Sequence, residues 1–365
     1  MADLSPFSPP WSNTPGQLKM KLVIFAGGIG TRLWPLSRVN SPKQFDRIFN
    51  GKSTLQLAFD RIAPTFGADN IYIQTSPLYK DAIVEQLPQL PAGNVFVEPD
   101  RRDLGPAVCF AVNELKKRGQ SGAVALLWAD HLMERTEEFS GALQSAEEMI
   151  SADGDRFVFL AERPRFANNN LGWIKVGKKK GSSGSRDIHG FEGWRYRPPQ
   201  EECDEIYRSG NAFWNPGYFV TSIDYLLDSY RRLAPEIYDH IAAGRYDLAA
   251  PLHFDEAIIE RLDLSNAVVI KTNMGWSDPG TLYALKEALE KSQSENVIHG
   301  KVSCLHSEDS LLYNLDDKKV LAAVGLKGMV VVNTRDAILV APKDEVVHIT
   351  KLLKKMKEEG LEEYL

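Results

Sequence analysis

The sequence predicts an α/β protein with a doubly wound sheet, followed by a small all-β domain. Three observations carry this. Short continuous apolar runs recur without polar alternation, as in strands buried on both faces of a parallel sheet. Amphipathic helical stretches separate those runs at crossover spacing. Past residue 295 the pattern changes to closely spaced β-type runs with no helical period.

The strand runs are KLVIFA from Lys21, IYIQT (71–75), NVFVEP (94–99), AVALLWAD (123–130) and RFVFLAE (156–162). Between them lie stretches with helical spacing: one around Leu55, Ala58, Phe59 and Ile62, one through Ile83 and Leu87, and others across 106–117 and 137–151. The segment 163–200 carries Lys178–Lys180 and GSSGS, which read as a solvated loop. Helical pattern returns over 201–292, interrupted by FWNPGYFV and AVVIKTNMGWSDPG. Then come KVSCLHS, SLLYN, KVLAAVG, GMVVVNT and DAILVAP. Last is a stripe of Val346, Ile349, Leu352, Leu353 and Met356, expected to be a docking helix. The expected organisation is a leader over 1–20, a main α/β domain over 21–292, and a C-terminal β domain with its helix over 293–365.

Composition excludes several classes. The formal net charge of −6 gives no global basic field for nucleic acid, although a local pocket for a phosphorylated small molecule stays open. Cys109, Cys203 and Cys304 are widely spaced, so no disulfide framework forms and a reducing cytosol fits. The first twenty residues are rich in Pro and Ser with no apolar core, unlike a signal peptide or membrane anchor, and read as a disordered leader. Whether Met1 or Met20 is the start stays open. The expected location is the cytoplasm, with no membrane partner.

The informative segment is FAGGIGTRLWPLSRVNSPKQF, residues 25–45. Gly27, Gly28 and Gly30 let the backbone turn sharply and offer successive N–H groups to an anion. Thr31 adds a hydroxyl and Arg32 a guanidinium fork suited to phosphate oxygens. Lys43, eleven residues on, offers a second cation to the same anion. The spacing is neither the G-x-G-x-x-G of dinucleotide folds nor a Walker loop, which ends in GK[ST].

This segment resembles the signature of the sugar 1-phosphate nucleotidyltransferases, GGxGTRL followed by PK. Its LWPLSR and PKQF are most similar to the bacterial-type mannose-1-phosphate guanylyltransferases. The resemblance runs from residue 21 to nearly the end. It implies a Rossmann-like doubly wound mixed sheet, the nucleotide-diphospho-sugar transferase fold, with a C-terminal domain resembling a short left-handed β-helix used in packing and oligomerisation. It implies transfer of a nucleotidyl group from a nucleoside triphosphate, GTP by closest likeness, to a sugar 1-phosphate such as mannose 1-phosphate. Pyrophosphate leaves and GDP-mannose forms. Arg32 and Lys43 would be catalytic, and Gly27, Gly28, Gly30 and Thr31 would cradle the triphosphate.

The family's PADH reads Trp128-Ala129-Asp130-His131 here. Together with Asp278 in GWSDPG, Asp130 would hold Mg²⁺, an ion that takes one or two carboxylates plus phosphate oxygens. An Asp after a buried strand also lies at the sheet edge where such folds bind ligands, and a helix N-cap is the alternative. The segment EPDRRDLGPAV resembles the family's base-side EP…TAPA and points to Pro106. FWNPGYF resembles WNSGMF and gives Asn215 to the sugar, against a plain turn role before Pro216. HFDEAIIE resembles VDYAVME and brings Asp255 and Glu260 to the sugar. Gly172 opens the sugar-side GYIE motif, here Gly172-Trp173-Ile174-Lys175, and Arg197 stands for the Lys of FxEKP, here Trp194 to Pro198.

Three departures matter. Tyr196 replaces a Glu, Lys175 replaces another, and Leu104 replaces the Thr of TAPA. The first two remove hydroxyl acceptors and weaken the expectation of mannose as the sugar. Two other readings follow: the same reaction on a different sugar 1-phosphate, or a non-catalytic regulatory subunit that binds nucleotide sugar. A homo-oligomer, dimer favoured, is the expected assembly.

Overall fold

In the computed structural model, residues 19–28, 30–38, 44–45, 51–290, 292 and 294–365 are described. The leader up to residue 18 and Lys43 lie outside the described residues. The chain divides into two compact units. One comprises residues up to Ala26, Phe59–Trp128 and Glu134–Gly275; the other comprises Gly27–Ala58, Ala129–Met133 and Trp276–Leu365.

The first unit is built on ten strands: β1 Lys21–Phe25, β2 Ile71–Thr75, β3 Val95–Val97, β4 Ala123–Trp128, β5 Phe157–Glu162, β6 Gly172–Ser183, β7 Arg186–Tyr196, β8 Ala212–Asn215, β9 Phe219–Ser222 and β10 Ala267–Thr272. They form one sheet in the order β10-β7-β6-β8-β5-β9-β4-β1-β2-β3. Pairs β1–β2, β1–β4, β2–β3 and β5–β10 are parallel, while β9 is antiparallel to β4 and β5. The α/β class and the mixed sheet agree with the sequence prediction.

The helices are α1 Thr54–Phe66, α2 Lys80–Gln86, α3 Leu104–Lys117, α4 Thr136–Ala152, α5 Gln200–Ser209, α6 Ile223–Leu233, α7 Pro235–Ala242, α8 Phe254–Ala257 and α9 Leu282–Leu289. Helix α1 starts in a capping box. The Ser53 hydroxyl accepts from the Gln56 amide at 3.2 Å, and the Gln56 side chain accepts from the Ser53 amide at 3.1 Å. Helix α3 buries Val108, Ala111, Val112 and Leu115, the stripe its spacing dictates, in a core shared with Val124, Leu126, Phe157 and Phe159. Met20 belongs to the fold and not to a leader: it is fully buried, and its amide and that of Lys19 both donate to Glu147 Oε1, at 2.8 and 2.6 Å.

The expected loop over 163–200 is instead mostly the hairpin β6–β7. Its inner half is buried, whereas Lys178–Lys180 lie exposed on β6. Lys179 pairs with Asp187 at 2.5 Å, and Ser183 Oγ donates to the Ser145 carbonyl of α4 at 3.0 Å. A hairpin arm with both faces wet shows no apolar alternation, so its sequence resembles a loop.

In the second unit, β11 Val297–His299, β13 Leu311–Asn314, β15 Met329–Asn333 and β16 Ile338–Pro342 form one sheet, and β12 Val302–Leu305 pairs with β14 Leu321–Val324. Successive parallel pairs β11–β13–β15 and β12–β14 indicate a coil of short strands. Helix α10, Ile349–Glu358, follows; Val346, Ile349, Leu353 and Met356 pack on the core, and Leu352 of the expected stripe points outward. Among the described residues no helix is long and apolar enough to cross a membrane.

Candidate active site

The phosphate-binding candidates lie in the second unit. The chain leaves β1 at Phe25 and turns through Gly27 and Gly28 to Gly30, whose φ of 67° is the left-handed conformation that glycine adopts without strain. A 3₁₀ turn, Thr31–Leu33, follows, with Thr31 and Arg32 exposed. Gln44, from the PKQF stretch, donates its Nε2 to the Gly28 carbonyl at 2.7 Å, and its own carbonyl accepts from Leu55 N at 3.1 Å. The downstream half of the motif thus pins the turn to the start of α1.

The acidic candidates sit in this same unit. A Cβ placed on Gly280 would lie 3.1 Å from Asp278 Oδ1 and 3.3 Å from Arg32 Nη2, so a carboxylate and a guanidinium flank one small space. A two-residue bridge, Leu132 with Ser277, joins the segments that carry Asp130 and Asp278. Asp130 does not cap a helix, because α4 begins only at Thr136 and its N-cap is Arg135. His131 is buried; its Nδ1 accepts from Trp276 Nε1 at 3.0 Å and its Nε2 lies 3.9 Å from Asp130 Oδ1.

The sugar-side candidates lie in the first unit. Gly172 pairs with Asn215 on one side and Tyr196 on the other, one row across β8, β6 and β7. Asn215 Oδ1 accepts from the Gly217 amide at 2.9 Å, so the turn role is realised and the Nδ2 end faces the other way. Trp128 Nε1 donates to the Gly217 carbonyl at 3.0 Å, and Gly217, at φ 76°, has no room for a Cβ beside that indole. Arg197 follows the row with its guanidinium 5.1 Å from the Tyr196 ring centroid and its Nε donating to Asn170 O at 3.1 Å. Lys175 is not at a carboxylate of the 253–260 segment; its Nζ lies 3.5 Å from Glu192 Oε2 across the hairpin.

Asp255 belongs to α8 and Glu260 to the 3₁₀ turn Ile259–Arg261. Burial pushes the Asp255 carboxyl above the usual range, and the charge of Glu260 adds to this. Pro106 is buried in the first turn of α3, next to Gly105, whose amide donates to the Leu252 carbonyl at 2.8 Å.

Several side chains that the sequence did not single out shape these segments. Glu162, fully buried at the end of β5, accepts from the amides of Met274 and Gly275 at 2.8 and 2.9 Å and from Thr272 Oγ1 at 3.0 Å. It thereby fixes the backbone just before Trp276. Glu98, which opens the 98–108 segment, accepts from Tyr246 OH at 2.8 Å, and burial raises its pKa above the ordinary carboxylate value.

The chain matches the sequence profile described as "Nucleotidyl transferase" over residues 21–295 and that described as "MannoseP isomerase/GMP-like beta-helix domain" over 300–356. Mannose-1-phosphate guanylyltransferase 2 of Escherichia coli O157:H7 is 29% identical, over 94% of this chain and 74% of that one. Mannose-1-phosphate guanylyltransferase of Escherichia coli K12 is also 29% identical, over 95% and 76%. Among solved structures, one described as mannose-1-phosphate geranyltransferase from Thermus thermophilus superposes with a TM-score of 0.83 at 27% identity, covering 93% of this chain and 99% of that one. The first profile spans most of the chain and takes in the glycine turn, Asp130 and Asp278 alike. On the fold, the turn and that match, the chain belongs to the nucleotidyl transferase family.

Proposed function

We propose that the protein transfers GMP from GTP to mannose 1-phosphate, releasing pyrophosphate and forming GDP-mannose. The observation that carries this reading is the small space over Gly280, flanked by Asp278 and Arg32 in the same unit as the glycine turn. The names of the relatives supply the base and the sugar.

The reaction needs an in-line attack of a sugar phosphate oxygen on the α-phosphorus. A phosphate monoester is already anionic, so no general base is required. Catalysis is positioning plus charge stabilisation. In this reading Gly27, Gly28, Gly30 and Thr31 hold the triphosphate through backbone N–H groups and a hydroxyl. Arg32 and Lys43 stabilise the charge that builds on the phosphorus and on the departing pyrophosphate. Pro106 lies on the base side, and Gly172, Arg197, Asn215, Asp255 and Glu260 orient the sugar phosphate.

Two carboxylates and a substrate phosphate form the donor set Mg²⁺ prefers, and Asp130 and Asp278 are the pair that would hold it. When bound, it would neutralise charge on the phosphate oxygens. The proposal includes a cytosolic location, which fits three free cysteines, and a homodimer.

A different sugar is the second reading, favoured by Tyr196, 65% exposed where the family carries an acid. The regulatory-subunit reading is opposed by the retention of Arg32, Lys43, Asp130 and Asp278 together. The test is a matrix of five nucleoside triphosphates against a panel of sugar 1-phosphates, scored by pyrophosphate release. Turnover highest with GTP and mannose 1-phosphate, and weaker with epimers of that sugar, is the expected result. Turnover confined to another pair would reassign the substrates.

A further inference from the structure

Thr31 ends the glycine turn, and the residues after it run into the core built by the C-terminal strands. Leu33, Trp34 and Leu36 are buried there with Leu282, Leu285, Val330, Val346 and Ile349. The start of α10 is part of that core, so the signature segment and the last helix share one apolar cluster.

Polar contacts fix the same segment more tightly. Trp34 Nε1 donates to the Tyr364 carbonyl at 2.8 Å, and Arg38 Nη1 donates to that same carbonyl. The other end of the Arg38 fork reaches Asp336 Oδ1 at 2.7 Å, in the turn between β15 and β16. That turn is itself closed by Thr334 Oγ1, which donates to Asp336 Oδ1 at 3.0 Å. The guanidinium also lies 5.5 Å from the Trp34 ring centroid, within cation–π range. Arg38 is therefore spent on the C-terminal segment and is not a phosphate ligand.

We propose that Trp34 and Arg38 are positioning residues for the triphosphate: they clasp the segment after the glycine turn to the Thr334–Tyr364 region. The inference rests on the nucleotidyl transfer reading above. A glycine turn has the largest backbone freedom to lose when it closes on an anion. Anchoring its downstream end before binding removes part of that cost, which raises affinity without adding a contact to the ligand. Arg suits the task because one planar fork can meet a carbonyl and a carboxylate together; Lys offers a single point charge.

The test is calorimetric binding of two probes, GTP and inorganic tripolyphosphate, to the full chain without sugar phosphate. Arg38→Met is expected to weaken both about tenfold, a factor that corresponds to about 1.4 kcal/mol. The KM for the sugar phosphate should stay within about twofold and the melting temperature close to wild type, since the anchor acts on the turn. Arg38→Lys should recover only part of the loss. Asp336→Asn, which alters a half-exposed carboxylate, should weaken both probes about two- to threefold and serves if Arg38→Met does not fold. Equal binding of both probes by wild type and the variants would overturn the clasp. So would an equal loss toward both substrates together with a lowered melting temperature, the mark of general destabilisation. Wild-type protein that binds tripolyphosphate but not GTP would overturn the base assignment and leave the clasp standing. Wild type that binds neither would overturn both.

Discussion

Trp276 donates its indole N–H to Nδ1 of His131 at 3.0 Å, and that one bond sets the tautomer of the histidine. An indole can only donate, so Nδ1 must accept and the ring proton sits on Nε2, 3.9 Å from the Asp130 carboxylate. The ring is thus oriented by a partner far away in sequence, with its Nε2–H beside Asp130 but beyond direct hydrogen-bond reach. Trp276→Phe keeps the ring and removes the donor. It is expected to raise the Mg²⁺ concentration for half-maximal activity about tenfold, the usual scale for groups that orient metal ligands. Unchanged Mg²⁺ dependence would dissociate the pair from Asp130.

Arg32 is exposed, and its guanidinium and the Asp278 carboxylate flank the space over Gly280. Its charge matters most when negative charge builds up during transfer. Arg32→Ala should therefore lower kcat and kcat/KM together, by about a hundredfold or more. Steady-state kinetics separate this from simple binding: a raised KM with unchanged kcat would make Arg32 a ground-state ligand.

Much of this was legible in the sequence, for identifiable reasons. Strands such as KLVIF and FVFLAE are buried on both faces and show as unbroken apolar runs. The anion turn is legible because its glycines, hydroxyl and guanidinium are contiguous. The hairpin β6–β7 was not, because its wet arm has no apolar period. Nor were the bonds that orient the acidic segments. Trp276 is 145 residues from His131, and Met274 is 112 from Glu162, and no local pattern encodes such pairings. The tie of the signature segment to Tyr364 is hidden in the same way, at 330 residues from Trp34.

Sugar selectivity should follow the row Asn215–Gly172–Tyr196. With Tyr196 in place of a hydroxyl acceptor, competition between mannose and glucose 1-phosphates should show discrimination of about tenfold or less, given roughly 0.5–1.5 kcal/mol per hydrogen bond. Tyr196→Glu should sharpen it. Lys175→Glu should not, because it would set a second carboxylate against Glu192 across the hairpin. A wild-type preference above about a thousandfold would show that other groups read the hydroxyls.

The second unit contains an ion network built around one buried lysine. Lys286 is almost fully buried and pairs with Glu290 and with Asp309, at 2.8 Å for the latter, and Lys343 also reaches Asp309. Burial alone would raise the Asp309 pKa, but the hydrogen bonds and charges of the two lysines outweigh it and hold the carboxyl below its ordinary value. A depressed folded pKa gives stability that is fully present above the unfolded value of about 4 and is lost as pH falls through the folded one. Asp309→Asn should cost about 1–3 kcal/mol in urea denaturation at pH 7. The gap from wild type should narrow only below about pH 4. A gap that closes near neutral pH would assign the effect to other groups.

Phosphorus NMR of a single reaction follows nucleotidyl transfer to a sugar 1-phosphate at the phosphorus atoms themselves. Purified protein with GTP, mannose 1-phosphate and Mg²⁺ should produce GDP-mannose and pyrophosphate in equal amounts, and excess chelator should stop both. Full conversion in chelator would contradict the roles given to Asp130 and Asp278. Loss of GTP to GDP and inorganic phosphate, with mannose 1-phosphate untouched, would contradict nucleotidyl transfer by this protein.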